Sequence, residues 1–171
     1  MKINRFTKVL ISLIIILSNI SCDQITKEQA RENISENQII NLVNDNFILT
    51  KVENTGAALS LGENLNPNLK VLVLQLFPLL LLLSMFIYVI RESKISKSNL
   101  IAFSFIIGGG IGNIYDRILY NSVTDFMYLE IGSFHTGIFN MADVSVVIGT
   151  SLLLISLIIS ELSKNRLKAS L

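Results

Sequence analysis

The residues best suited to chemistry are carboxylates, amides and a few cations, at spacings that a helix converts into shared faces. Asp23 and Lys27 are four residues apart, Asn113 and Arg117 are four apart, and Asn140 and Asp143 are three apart. Each spacing puts both side chains on one side of a helix. Asp116, Asn54 and Asp125 complete the group. Nucleophilic catalysis has no basis here: Cys22 lies in an apolar run with no base nearby, and His135 is the single histidine. Carboxylates remain. Two aspartates held close cannot both ionise, so one pKa rises and the pair shares a proton. One then activates water while the other gives a proton to the carbonyl or the leaving amine. Such a pair hydrolyses an amide with no covalent intermediate, no metal and no cofactor. Asp125 and Asp143 suit it. Asp125 follows the loop stretch Ser122-Val123-Thr124, and Asp143 falls in the first turn of a helix. Asp116, beside Arg117, reads as that arginine's partner.

These residues meet only if long apolar elements bring them to one place. Of 171 residues, 51% are hydrophobic and only 16% charged, with a mean hydropathy of +0.59. Soluble domains carry about 25% charged residues, and a chain this short cannot hide so much Ile and Leu in one core. The class is integral membrane protein. A lone cysteine excludes a disulfide scaffold and a CxxC metal site, and a lone histidine excludes a His-rich zinc site. With 14 basic and 13 acidic side chains there is no electrostatic case for nucleic acid.

Uncharged runs cover residues 9–22, 71–90, 98–115 and 144–160. A spanning helix needs about 20 residues, so the first run spans only by continuing through Asp23 to about Lys27. That places ionisable groups at membrane depth, where they must face a cavity or each other. The expected architecture is a membrane all-α fold. Its single domain over 1–171 has four transmembrane helices (about 8–27, 69–90, 98–116 and 141–161) and outer loops at about 28–68 and 117–140. Orientation follows the basic residues. Lys2, Arg5, Lys8, Arg91, Lys94, Lys97, Lys164, Arg166 and Lys168 fall on one side, against only Glu92 and Glu161, a split of +7 to −6 between the two faces. Both termini are expected in the cytoplasm, with Asp23, Lys27, Asn54, Asn113, Asp116, Arg117, Asp125, Asn140 and Asp143 gathered at the outer face.

In the first outer loop, Glu28 and its charged successors up to Asn37 extend helix one along the surface, and one or two short strands are expected over 39–52. Gly108 and Gly112 form a GxxxG pair, which lets membrane helices approach closely and leaves room for a substrate backbone. Pro78 is expected to kink helix two. Lys2 to Cys22 superficially resembles a lipoprotein signal, but Asn19 fits that pattern poorly and three further spans follow.

Blander readings stand beside each sharper one. Asp125 and Asp143 could lock helix ends or relay protons in a small carboxylate-based transporter. Asp23 and Lys27 could be a surface ion pair, Asn54 turn chemistry before Gly56, and Arg117 an interfacial snorkelling residue. A transporter needs ionisable groups along a path through both leaflets, and the inner halves of the four runs carry none.

Five stretches decide between these readings: Asp23-Gln24-Ile25-Thr26-Lys27, Asn54-Thr55-Gly56-Ala57-Ala58, Gly108-Gly109-Gly110-Ile111-Gly112-Asn113-Ile114-Tyr115-Asp116-Arg117, Val123-Thr124-Asp125-Phe126 and Phe139-Asn140-Met141-Ala142-Asp143. In their order and spacing the chain resembles lipoprotein signal peptidase (signal peptidase II), a family of bacterial aspartic endopeptidases. The resemblance implies a catalytic pair at Asp125 and Asp143. It implies substrate-binding or site-ordering roles for Asp23, Lys27, Asn54, Gly108, Asn113, Asp116, Arg117 and Asn140. It also implies a small extramembrane β-cradle and a lid-like surface helix within 28–68. The implied substrate is a prolipoprotein whose cysteine carries diacylglycerol, cut before that cysteine by an inner-membrane enzyme working among membrane lipids. No cofactor, metal or nucleic acid is implied, and a monomer is expected. Leu59 departs from the family's usual Phe. A cysteine introduced at Lys51 in a Cys22→Ser background is expected to react with an impermeant thiol reagent from outside the cell; labelling from the cytoplasm alone would reverse this topology.

Overall fold

The structure is a computed structural model describing residues 4–36, 38–43, 46–57 and 60–169, the side chains of 166–169 excepted. Lys2, Ala58, Leu59 and the side chains of Arg166 and Lys168, all used above, lie outside them. Among the described residues, four helices are long and apolar enough to cross a membrane. Helix α1 is Arg5–Asn33, α2 is Pro67–Arg91, α3 is Lys97–Tyr120 and α4 is Met141–Ala169. Strands β1 (Ile40–Val43), β2 (Phe47–Asn54), β3 (Val123–Ile131) and β4 (Phe134–His135) form a sheet in that order, antiparallel throughout.

Short polar side chains start the helices. Asn4 accepts from the Thr7 amide at 2.7 Å, Asn66 from Leu69 at 2.9 Å and Ser96 from Asn99 at 3.1 Å, each filling one orphan donor of a first turn. Pro67 stands at the first helical position of α2, where its missing N–H costs nothing. Asn121 ends α3 in the left-handed conformation, φ 59°. With 29 residues α1 is about 43 Å long, more than the ~30 Å of hydrocarbon. Part of α1 therefore extends beyond an apolar layer of that thickness.

The surface helix expected after Lys27 is this unbroken continuation of α1. No separate α-helix occurs among the described residues of 34–66, where 60–65 form turns instead. Pro78 acts through helix type. Val71–Leu76 is a π-helix, and the Phe77 amide reaches back five residues to the Leu72 carbonyl before α-geometry resumes. The largest difference from the sequence reading is β3. Nine residues taken as loop form the sheet's longest strand, because they pair with β2 some seventy residues away. Phe134 and His135, also assigned to loop, form β4.

Helix α3 is the centre of the bundle: 44% of its apolar window is buried, against 17% for each of the other three. Its Ile107 and Ile114 pack with Ile16 of α1 and Leu82 of α2. A second core of Ala30, Ile34, Phe126 and Met127 seats β3 on the end of α1. At the opposite end of the bundle, buried Lys8 donates to the carbonyls of Val89, Ile90 and Glu92, closing the C-terminus of α2. Glycine sets how closely α3 is approached. A β-carbon on Gly112 would sit 2.6 Å from Asp23 Oδ2 and 3.3 Å from the Ala142 side chain, so the Asp23 carboxylate, held by Lys27 and the Ala142 amide, would have to shift. Gly112→Ala is expected to cost about 1–3 kcal/mol by overpacking, read as a lower thermal midpoint in detergent; an unchanged midpoint would show that the contact yields freely.

Candidate active site

The site begins at the N-terminus of α4, whose first amides need acceptors. Asn140 is the capping residue. Its Oδ1 accepts the Asp143 amide at 3.0 Å, and Asp143 Oδ2 accepts the Asn140 amide at 3.2 Å, a reciprocal capping box. The Ala142 amide donates to Asp23 Oδ1 at 2.8 Å. Negative groups at a helix N-terminus are also favoured by its dipole. The fold of α4 thus fixes Asn140 and Asp143 before any substrate is considered.

Asp125 comes from β3. Strand alternation puts Val123, Asp125 and Met127 on one face and Ser122, Thr124 and Phe126 on the other. In β2 a one-residue bulge separates the Leu49–Met127 and Val52–Asp125 pairs. Phe47 and Leu49 therefore share a face with Val52 and Asn54, and it is Asn54, not Glu53, that faces Asp125. Bulges re-aim side chains in this way beside active sites. Asn54 Nδ2 donates to Asp125 Oδ2 at 3.0 Å and to the Ala57 carbonyl at 3.1 Å, while its Oδ1 accepts the Gly56 amide at 2.9 Å.

Two amides join the carboxylates. Asn140 Nδ2 donates to Asp125 Oδ1 at 2.6 Å and to Asn113 Oδ1 at 3.1 Å; Asn113 Nδ2 donates to Asp143 Oδ1 at 2.8 Å. Both aspartates line a cavity of about 920 Å³ with Asn54, Asn113, Arg117 and Asn140. Its apolar wall includes Val73, Leu74, Phe77 and Pro78 of α2 and Val146 and Val147 of α4. Burial pushes the Asp125 carboxyl up to about 6, against its Asn54 hydrogen bond and with the help of the nearby Asp143 charge. The arrangement can hold two carboxyl groups and one proton over an apolar trough.

Behind the cavity lies a buried ionic layer. Lys27, with no exposure, makes contacts of 2.8 Å to Asp23 Oδ2, 2.9 Å to Asp116 Oδ2 and 2.9 Å to Asn113 Oδ1. The Asp116 assignment made from sequence is corrected here. Its ionic partners are Lys27 and Arg31, the latter at 3.2 Å. Adjacent residues on a helix point about 100° apart, so Arg117 turns elsewhere, to the Gly56 carbonyl at 2.8 Å and the Asn113 carbonyl at 3.2 Å. Asp125 is likewise a strand residue, not a loop residue. Gly108 packs against Ile16 and Asn19 of α1 and does not line the cavity. His135 is exposed and outside it. Sequence reasoning missed Gln24, whose amide reaches Asp23 and Asp116 at 3.0 Å each, and Arg31. The signal for Arg31 was present: 23, 27 and 31 form one i,i+4 stripe.

Comparison with known proteins gives the family and the fold. A family model described as signal peptidase (SPase) II matches residues 14–159. The lipoprotein signal peptidase of Clostridium acetobutylicum is 32% identical over 154 residues, 90% of this chain and 97% of that one. That of Clostridium tetani is 36% identical over 147 residues, 85% of this chain and 91% of that one. A bacterial membrane enzyme solved by the in meso method at 2.3 Å superposes with a TM-score of 0.77 at 26% identity, covering 86% of this chain and 87% of that one.

Asp125 gives this site a pH signature. Its native carboxyl keeps a proton to about 6, whereas the unfolded chain loses it near 3.8. Between those values the native state binds more protons, so this group's contribution favours folding as pH falls through the window and opposes it as pH rises. Unfolding of the wild type in detergent should show that dependence between pH 4 and 7, and Asp125→Asn should remove it; equal slopes in both proteins would place the Asp125 pKa in the ordinary range.

Proposed function

Because the chain belongs to the signal peptidase II family, a membrane peptidase that removes signal peptides from prolipoproteins, we propose that Asp125 and Asp143 are its catalytic pair. The observation that supports this most is their placement. Asp125 from a strand and Asp143 from a helix N-terminus reach one cavity through the Asn113–Asn140 amide pair. One carboxylate takes a proton from water as its oxygen attacks the scissile carbonyl carbon, and the partner acid protonates the carbonyl oxygen. The resulting gem-diol then collapses. The scissile nitrogen receives a proton, the C–N bond breaks, and the products are a carboxylic acid and a free amine. Burial makes the shared proton possible, and the amides hold both oxygens of Asp125 without adding charge.

The substrate is a prolipoprotein bearing diacylglycerol on its cysteine, cut before that residue. The apolar wall of α2 and α4 suits the acyl chains and the signal peptide, with the scissile bond at the polar end. Asp23, Lys27, Asp116 and Arg117 order the site from behind and beside it. The four helices act as one domain with both termini in the cytoplasm, which puts the pair at the outer face of the bacterial inner membrane, reached by water and by a bilayer-anchored substrate. The monomer carries every residue named here.

The test is cleavage of a diacylglyceryl-modified prolipoprotein by purified wild type, Asp125→Asn and Asp143→Asn. Each variant is expected to lose at least about 10³-fold in kcat, the upper part of the range for a lost acid–base group, with its fold intact by circular dichroism. Normal cleavage by both would make the carboxylates structural.

A further inference from the structure

Thr124 precedes Asp125, and strand alternation turns its side chain to the reverse face. It is 1% exposed. Its hydroxyl accepts from Arg31 Nε at 2.9 Å and donates to Glu53 Oε1 at 2.8 Å, while Ser122 Oγ donates to Glu53 Oε2 at 2.6 Å. Glu53 is the strand partner of Thr124 and precedes Asn54. Each of two cavity-facing residues, Asn54 and Asp125, therefore has its chain neighbour fastened behind the sheet, and both fastenings meet at one hydroxyl.

Arg31 carries that fastening to the helices. Its Nη2 lies 3.2 Å from Asp116 Oδ1, and its guanidinium stands 4.3 Å above the Tyr120 ring. Asp116 holds Lys27, Lys27 donates to Asn113, and Asn113 donates to Asp143. The contacts close a ring. Asp125 and Asn113 are tied through Asn140 at the cavity, and again through Thr124, Arg31, Asp116 and Lys27 at the back, and Asn113 in turn holds Asp143.

The geometry points to Arg31, acting through Thr124 and Glu53, as a positioning residue that sets the separation and angle of the two carboxylates, an inference resting on their reading as the catalytic pair. Arg31 does not line the cavity, so its role is not catalytic. Arginine fits because one planar fork donates its Nε–H to the hydroxyl and sets Nη2 as an ion partner 3.2 Å from the Asp116 carboxylate. A lysine ammonium keeps the charge and loses that fork. Misplacing a reacting group by about 1 Å can cost about 10²-fold in rate.

Steady-state cleavage of diacylglyceryl-modified prolipoprotein tests the idea with Arg31→Lys, Thr124→Val, their double variant and Thr124→Ser, with Asp125→Asn alongside. Arg31→Lys and Thr124→Val should each lower kcat about 10–100-fold with KM nearly unchanged. The double variant should fall little below the weaker single, because both break one link. Thr124→Ser keeps the hydroxyl and should recover most of the rate. If Arg31→Lys and Thr124→Val keep wild-type kcat while Asp125→Asn is inert, the positioning role is wrong and the catalytic pair stands. If Asp125→Asn cleaves normally, the pair itself falls. A kcat loss that only tracks lost thermal stability, or equal losses in Thr124→Ser and Thr124→Val, would make the contact structural and overturn the proposal. Should Arg31→Lys fail to fold, the Thr124 variants decide alone.

Discussion

An ammonium shut away from solvent must be compensated inside the protein, and Lys27 is compensated by two helices at one level. Asp23 lies one turn back on α1, and Asp116 and Asn113 face it from α3. Removing one partner from such a buried set costs about 3–5 kcal/mol, because the other charges stay buried and unmatched. The requirement fixes α1 against α3 in height and rotation. It then reaches α4, since the second oxygen of Asp23 accepts the Ala142 amide. Arg31 joins the layer on Asp116 and, at its exposed edge, meets Glu28 at 3.4 Å, so each buried carboxylate has a cation beside it.

The pair in front is held differently. Asn54, Asn113 and Asn140 supply hydrogen-bond donors that orient the two carboxylates and bring no charge of their own. Lys27 touches the cavity residues through Asn113, and its charge, shared with Asp23 and Asp116, still favours the ionised form of Asp125. The cation builds the site, and the amides tune it.

Much of this was legible in the sequence because helical spacing and topology act locally. Asp23 with Lys27, Asn113 with Arg117 and Asn140 with Asp143 could each be placed on one helix face, and four apolar runs brought them to one end. What escaped depended on partners remote in the chain. Strand β3 looked like loop because its nine residues owe their form to β2. The side of β2 that carries Asn54 is set by a bulge no local pattern announces. Asp116 was assigned to its neighbour because adjacency is visible in a sequence and the 100° turn between adjacent helical residues is easily overlooked. Its true partners lie some ninety positions upstream. Pro78 marked the place of irregularity in α2, but not its form as a π-helix.

The capping box at Asn140 and Asp143 has a consequence for how the protein is made. Chains enter the membrane from the N-terminal end as they are synthesised. Asp23 and Lys27 precede the other charged site residues in the chain and are already paired one turn apart on α1. Asp116 and Asp125 follow, still short of their counterpart. The second carboxylate is delivered by the last helix and takes its orientation from the first turn of that helix. On the reading of Asp125 and Asp143 as the catalytic pair, the two come together only once α4 has been made, so a chain interrupted before Met141 lacks one of them.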